Sequence, residues 1–232
     1  MIFPKIKPVS ETNLIIYFDQ EIEVETVPII GAICDKIRTD IGESIVEVIP
    51  SYTSILVQYN PFIISYNQLI ASLTHILAAI ESYGIEAKGK CIDLPIYYDF
   101  KTGPDLERVA SLNNLSISEV IERHVDQEYL VCAVGFAPGF AFLAKVDEHI
   151  ATPRHTTPRE LVPAGSVGIA DQQTAVYPND SPGGWNIIGN CPIPLYQPDQ
   201  DPITPFEVGD SVRFYPITKT EFINLGGKLW QD

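Results

Sequence analysis

Basic residues are scarce in this 232-residue chain, which has 15 Lys and Arg against 30 Asp and Glu and a formal net charge of −15. Nucleic-acid binders hold phosphates with clusters of Lys and Arg, so this charge balance excludes a nucleic-acid partner. Long apolar runs are also lacking. The strongest, Leu14 to Phe18 and Ile76 to Ile80, are far shorter than the ~20 residues that cross a bilayer, and no signal-peptide core is present. We therefore expect a cytoplasmic protein with no membrane partner.

Metal-ligand and disulfide patterns are absent as well. The four cysteines form no C-x-x-C pair, and the four histidines form neither H-x-H nor H-E-x-x-H. Metal sites and disulfide frameworks show ligands at short, regular spacings. The sequence therefore predicts no metal site, and it predicts four free thiols among apolar neighbours, namely Cys34, Cys91, Cys132 and Cys191.

Nucleotide-binding and nucleophile motifs are missing too. Neither a G-x-x-x-x-G-K-[ST] phosphate loop nor a G-x-G-x-x-G turn occurs, so the isolated chain has no evident cofactor site. Ser166 and Ser181 are candidate hydroxyls, but neither lies in G-x-S-x-G. That disfavours a nucleophilic hydrolase acting alone, and catalytic residues stay unassigned.

Residues 1–93 have the pattern of a compact α+β unit. Apolar residues at helix spacing, such as Ile30, Cys34 and Ile37, follow a β-branched strand, and two strands, a second helix and a last strand come next. The order β-α-β-β-α-β is that of a split βαβ, ferredoxin-like domain. The predicted ranges are strands at 13–18, 44–49, 53–58 and 90–97 and a second helix at 65–83.

Residues 94–232 begin with a helical connector and continue as a β-rich domain. Pro104 can open a first helix, and Ser116 with Glu119 has the capping-box spacing that begins a second. After Glu128, short apolar pieces alternate with turns that contain Pro and Gly. This pattern is typical of a β-barrel or sandwich, in which the long loops carry function. The predicted fold class is therefore α+β.

A small island of cations stands out in the second domain. Arg154 and Arg159 occur in two T-P-R triplets, with His155 after the first. Prolines stiffen the backbone, so these side chains are presented at low ordering cost and suit capture of a carboxylate or phosphate. An equally weighted alternative is that the arginines pair with carboxylates nearby in sequence. Those carboxylates are Asp147, Glu148 and Glu160.

A second motif runs from Tyr177 to Trp185 and contains Ser181-Pro182-Gly183-Gly184. Paired glycines let backbone N–H groups converge on an anion, and Trp185 can wall a pocket. For the isolated motif, however, a tight turn that ends in a core aromatic is the favoured interpretation. The stretch from Gly135 to Phe140 is open to the same two interpretations.

Together these motifs resemble the family of 5-oxoprolinase B subunits. That family includes the KipI-type histidine-kinase inhibitors and is similar to the allophanate hydrolase subunit 1 domain found in urea carboxylases. The motifs that carry the resemblance occur in order along the second domain. They are G-F-x-P-G-F at 135–140, A-T-P-R at 151–154, T-P-R at 157–159, V-P-A-G-S-V-G-I-A at 162–170, Q-T at 173–174, Y-P at 177–178 and S-P-G-G-W at 181–185.

The resemblance implies a ferredoxin-like N-terminal domain and a cyclophilin-like β-barrel after it. It further implies ATP-dependent opening of 5-oxoproline to L-glutamate by a hetero-oligomer with subunits A and C. ATP with Mg²⁺ would bind in the assembled complex, and the chain alone would be inactive or weak. The alternatives are a regulator that binds and inhibits a sensor histidine kinase, or a component of the allophanate hydrolase or urea carboxylase type.

The resemblance also implies where a small anionic substrate would bind. The expected pocket lies between the segments 136–140, 152–166 and 173–185, and the substrate carboxylate would pair with Arg154 or Arg159. The predicted binding residues are Pro138, Gly139, Arg154, His155, Arg159, Gln173, Tyr177, Ser181, Gly183, Gly184 and Trp185.

Overall fold

A computed structural model describes residues 4–18, 26–83 and 89–230. The chain divides into two compact units, one of Met1–Gly89 with Glu207–Gly209 and one of Lys90–Phe206 with Asp210–Asp232. The acidic run from Asp19 to Glu25, for which the sequence predicts a solvated loop and helix start, lies outside the described residues. Within them, none of the helices is both long and apolar enough to span a membrane.

The first unit is an antiparallel four-stranded sheet, ordered β1-β2-β4-β3, with two helices packed against it. Its elements are β1 Lys5–Pro8, β2 Asn13–Tyr17, α1 Val27–Ile41, β3 Ile45–Pro50, β4 Ser54–Tyr59 and α2 Tyr66–Tyr83. Alternate residues of β2 and β4, such as Leu14 and Val57, are fully buried. They pack with the apolar stripes of the helices, including Ile33 and Leu73, in one core. This is the side-chain period of two expected of a half-buried sheet.

The first five elements of the predicted β-α-β-β-α-β order are present as β2-α1-β3-β4-α2, but the predicted fourth strand is wrong because it belongs to the other sheet. The sheet position expected for residues 90–97 is taken by β1, which pairs with β2 from Lys5 opposite Tyr17 to Pro8 opposite Leu14. Pro4 precedes this strand and Pro8 is its last residue. Proline is tolerated at a sheet edge because no ladder N–H is needed on the outer side. Because proline usually argues against a strand, the sequence pattern did not predict β1.

The second unit is built on a seven-stranded sheet, ordered β12-β9-β10-β7-β6-β13-β5. Its strands are β5 Cys91–Ile96, β6 Glu128–Val134, β7 Ala141–Ala144, β9 Ser166–Ala170, β10 Gln173–Val176, β12 Asn186–Asn190 and β13 Ser211–Pro216. A separate pair is formed by β8 Arg159–Val162 and β11 Ser181–Gly183, and the helices are α3 Leu106–Leu112, α4 Ile117–Val125 and α5 Lys219–Asn224. The α+β class with a β-rich second domain is therefore confirmed.

The edges of the seven-stranded sheet meet, so that it is nearly closed into a barrel. Tyr97, just after β5, donates its N–H to the carbonyl of Asn190 at 2.9 Å, and Asn190 donates to the carbonyl of Tyr97 at 3.0 Å. Strand β5 also pairs in parallel with β13, where Arg213 and Asp93 form an ion pair. Closure explains why residues 91–96 belong here, since otherwise two edges would carry unpaired backbone groups.

The connector helices and the thiols match the sequence expectations, with one exception. Ser116 accepts from the backbone N–H of Glu119, whose carboxylate accepts in return from the N–H of Ser116, so the predicted capping box is confirmed. All four cysteines are free, and three are buried. The exception is Cys91, which is exposed because β5 turns this side chain away from the barrel interior.

His124, at the end of α4, is completely buried in the core of the second unit. Its Nδ1 lies 2.8 Å from Tyr98 Oη and its Nε2 lies 3.0 Å from Thr174 Oγ1. Because the Thr174 hydroxyl donates to the carbonyl of Gly168, it accepts from Nε2–H, and Nδ1 therefore accepts from Tyr98. Burial lowers the pKa of His124 to about 3, so the ring is neutral.

We expect His124 to make folding stability depend on pH below its ordinary pKa of 6.5. As the pH falls from 6.5 towards 3, the unfolded imidazole binds a proton and the folded one does not. The free energy of unfolding then falls by about 1.4 kcal/mol per pH unit from this group. Urea unfolding of the wild type and of His124→Gln should therefore show a stability gap that is largest near pH 7 and narrows towards pH 4.

The matched control is His75→Gln, which removes an exposed histidine of α2. At pH 7 its free energy of unfolding should lie within about 0.5 kcal/mol of the wild-type value, as for most surface substitutions. A gap between the wild type and His124→Gln that does not change with pH would contradict a neutral His124.

Candidate functional site

A cavity of about 530 Å³ opens on the second unit. It is lined by parts of three chain segments, namely the turn between β6 and β7, residues 154–158, and the stretch around β11. The lining residues are Phe136, Phe140, Phe142, Arg154, His155, Thr156, Pro158, Tyr177, Pro182, Gly183, Gly184 and Trp185. This volume is within the range of small-molecule sites, about 300–1,000 Å³.

The base of the cavity is aromatic. The Phe140 ring meets the rings of Phe142, Tyr177 and Trp185 edge to face, with centroids 4.8, 5.4 and 5.8 Å apart. Phe140 and Tyr177 also belong to a small buried cluster that is separate from the main core of this unit. Edge-to-face packing of this kind holds rings rigidly. The base is therefore a fixed, apolar surface.

The side chain of Tyr177 packs directly against the backbone of Gly183. A Cβ atom at Gly183 would overlap the phenol ring and hydroxyl of Tyr177, so only glycine allows this approach. Burial raises the pKa of Tyr177 to about 12, although a bond from the main chain of Trp185 and the charge of Arg159 oppose the increase. The phenol therefore keeps its proton at neutral pH. Close packing, rather than anion binding, accounts for glycine at position 183.

The cation island is organised by Asp105, a buried residue just before α3. Its Oδ1 accepts from Arg159 Nη2 at 2.8 Å and lies 3.1 Å from His155 Nε2. Its Oδ2 accepts from the main-chain N–H of Ile187 at 2.7 Å. A buried carboxylate needs such partners, because removing an unpaired charge from water is costly. Asp105 thus fixes two of the three side chains of this island, His155 and Arg159.

The carboxylates proposed from the sequence as partners of the arginines are therefore wrong. Asp147 instead pairs with Arg123 at 2.8 Å and with His149 at 2.7 Å, and Arg159 bonds to Asp105. The sequence could suggest only carboxylates close to Arg159 along the chain, whereas its actual partner, Asp105, lies 54 residues away. Arg159 does form an ion pair, as the alternative interpretation expected, but its partner is Asp105 rather than a carboxylate nearby in sequence.

Arg154 differs from His155 and Arg159. It lines the cavity and is exposed, and it forms no hydrogen bond or ion pair within the described part of the chain. Arg159 does not line the cavity, and its Nη1 is buried without a hydrogen-bond partner among those residues. A free guanidinium at the mouth of an apolar cavity can bind a carboxylate or phosphate in bidentate fashion.

The predicted binding residues fall into two groups, those that line the cavity and those that do not. Arg154, His155, Tyr177, Gly183, Gly184 and Trp185 line the cavity. Pro138, Gly139, Arg159, Gln173 and Ser181 do not. Gln173 pairs within the barrel sheet, and Ser181 pairs with Val162 beside the cavity. The candidate hydroxyl of Ser166 is fully buried and so has no access to a substrate.

Sequence reasoning did not select several residues that the structure brings to the site. Phe136, Phe140 and Phe142 line it, yet alternating Phe residues in a β-rich segment are equally expected in a core. Asp105 was also missed, although its place at the N-terminus of a predicted helix after Pro104 was a usable signal for a fixed carboxylate.

Known proteins share both the sequence and the fold. Residues 4–206 match the family described as carboxyltransferase domain, subdomain C and D. The chain is 35% identical to the 5-oxoprolinase B subunit of Bacillus subtilis over 94% of this chain and 95% of that protein. It is 46% identical to the 5-oxoprolinase B subunit of Escherichia coli O157:H7 over 59% of this chain and 62% of that one.

Among solved structures, TTHA0988 superposes with a TM-score of 0.77 at 29% identity, over 89% of this chain. The match spans 40% of TTHA0988, so most of that protein lies outside the shared region. Extensive identity to the Bacillus subtilis protein and the matched domain family lead to one conclusion. The chain belongs to the family of 5-oxoprolinase B subunits, within the carboxyltransferase subdomain C and D proteins.

Proposed function

We propose that this chain is the B subunit of an ATP-dependent 5-oxoprolinase, which opens 5-oxoproline to L-glutamate together with subunits A and C. The observation that carries the proposal is the 35% identity to a protein of that name across nearly all of both chains. The overall reaction converts 5-oxoproline, ATP and two waters into glutamate, ADP and phosphate. The cavity of the second unit supplies a binding site for the smaller substrate.

The substrate carboxylate would pair with Arg154. This guanidinium faces the cavity and has no partner in the described structure, so no ion pair must be broken before the substrate binds. Arg159 is a poorer candidate, because it does not line the cavity and its Nη2 is bonded to Asp105 at 2.8 Å. His155 stands beside Arg154 and is oriented by the same carboxylate. The chain therefore offers one free cation for one carboxylate.

The ring of 5-oxoproline would lie against the aromatic base. Phe140, Phe142 and Trp185 form a rigid apolar surface there. Contact with this surface removes water from one side of the ring and orients the amide for attack. Binding energy used for orientation lowers the barrier of the chemical step.

The described residues contain no group of three or more His, Cys, Asp or Glu that could hold a metal ion, and the sequence has no phosphate loop. ATP with Mg²⁺ would bind in the assembled complex. We propose that subunits A and C hold the nucleotide and that this chain alone has little or no turnover. A cytoplasmic location stays a prediction.

Arg154→Ala should weaken substrate binding in the assembled enzyme. A hydrogen bond to a charged group contributes about 1.5–3 kcal/mol, so KM for 5-oxoproline should rise about 10- to 150-fold. The measurement is ATP-dependent glutamate formation by the chain reconstituted with subunits A and C. Stability should not change, because Arg154 is exposed and unpaired in the described structure.

Arg213→Ala is the matched control, because it removes an exposed arginine paired with Asp93 on β5. Its KM should equal that of the wild type. A normal KM for Arg154→Ala would reject the carboxylate site but not the assignment to the enzyme complex. No glutamate formation by the wild-type chain with both partners would contradict the assignment and favour the kinase-regulator alternative.

Arg159→Ala should destabilise the fold instead. It leaves the buried carboxylate of Asp105 with one fewer partner, and breaking such a pair costs about 3 kcal/mol. Adding Asp105→Asn should restore part of the loss, because the amide is uncharged and still accepts from the N–H of Ile187. Urea unfolding of the single and double variants tests this. A double variant no more stable than Arg159→Ala would contradict the role of Asp105.

A further inference from the structure

Phe136, in the turn between β6 and β7, has an unusual backbone conformation. Its φ of 72° lies in the left-handed region, where the Cβ atom crowds the backbone and bulky residues are rare. The other described residues with positive φ, apart from glycines, are Asn114 and Asp171. Short polar side chains tolerate this conformation, but phenylalanine does not. Phe136 is therefore strained.

Glycine would relieve this strain at no steric cost, and the turn contains glycine on either side of the position. Gly139 does use the left-handed region, with φ of 81°. Gly135, which directly precedes Phe136, does not, and a Cβ atom there would meet no atom within 4 Å. The phenylalanine therefore occupies a position that suits glycine, and the reason must lie in its ring.

Burial does not supply that reason, because the Phe136 side chain is 69% exposed. Its ring has one aromatic neighbour among the described residues, Phe140, at a centroid distance of 5.2 Å and an interplanar angle of 69°. The ring thus stands at the edge of the cavity, next to the aromatic base, and leaves most of its surface open. Strain without burial is typical of a ligand-contacting residue rather than of a core residue.

Building on the proposed function, we propose that Phe136 is a specificity-determining residue whose ring packs on the ring of bound 5-oxoproline. Arg154 holds the carboxylate, and Phe136 contacts the apolar CH₂ groups beside the amide. Phe136 and Arg154 line the same cavity of about 530 Å³, so one small ligand can contact both. The strained backbone at Phe136 places its ring at the edge of the cavity.

The test compares three variants in the complex reconstituted with subunits A and C. In Phe136→Gly and Phe136→Ala, KM for 5-oxoproline should rise about tenfold through loss of apolar contact. Phe136→Tyr keeps the ring, so its KM should stay within about twofold of the wild type. The thermal unfolding midpoint of Phe136→Gly should not fall, because glycine adopts positive φ without strain.

Phe100→Ala is the control, since Phe100 is a 58% exposed phenylalanine of the same unit that does not line the cavity. Its KM should be that of the wild type. An unchanged KM for Phe136→Gly in an active complex overturns this inference and leaves the proposed function standing. Loss of assembly with the partner subunits in place of a KM effect also overturns it, because the ring would then contact protein rather than substrate. An inactive wild-type complex instead rejects the proposed function.

Discussion

The buried carboxylate of Asp105 is the interaction on which the candidate site depends. It connects the start of α3, the segment that carries His155 and Arg159, and the main chain of Ile187 in β12. These pieces are far apart in sequence, and a buried carboxylate is tolerated only while its partners are in place. Asp105 therefore gives Arg154 and Arg159 different environments, although both occur in T-P-R triplets. Arg159 is bonded to Asp105, whereas Arg154 makes no hydrogen bond or ion pair within the described residues, which supports its proposed role in binding the substrate carboxylate.

The aromatic residues of the site likewise differ in how much they contribute to packing. Phe140 and Tyr177 are buried and hold the base of the cavity together. Phe136 contributes little burial and occupies a strained position, and Arg154 makes no bond in the described structure. Sites commonly break local rules of stability where a ligand needs a group in place. Exposure, strain and lack of partners are the grounds on which we propose Phe136 and Arg154, rather than Phe140 and Tyr177, as binding residues.

Local features were predictable from the sequence, and long-range ones were not. The helices follow from three-and-four spacing, and the capping box of Ser116 and Glu119 depends on residues three apart. The fourth strand of the first sheet and the partner of Arg159 depend on pairing across the fold, which local patterns do not encode. The motifs indicated the three segments that line the cavity. They could not tell that Gln173 lies in the barrel sheet while Phe142 faces the cavity.

A crystal structure of the assembled complex with 5-oxoproline and a non-hydrolysable ATP analogue would show directly where the substrate binds. We expect the substrate carboxylate within hydrogen-bond distance of Arg154, with its ring between Phe136 and the aromatic base of the cavity. We also expect Arg159 to remain bonded to Asp105. Substrate bound wholly within the partner subunits, with the cavity of this chain unchanged, would contradict the proposed site.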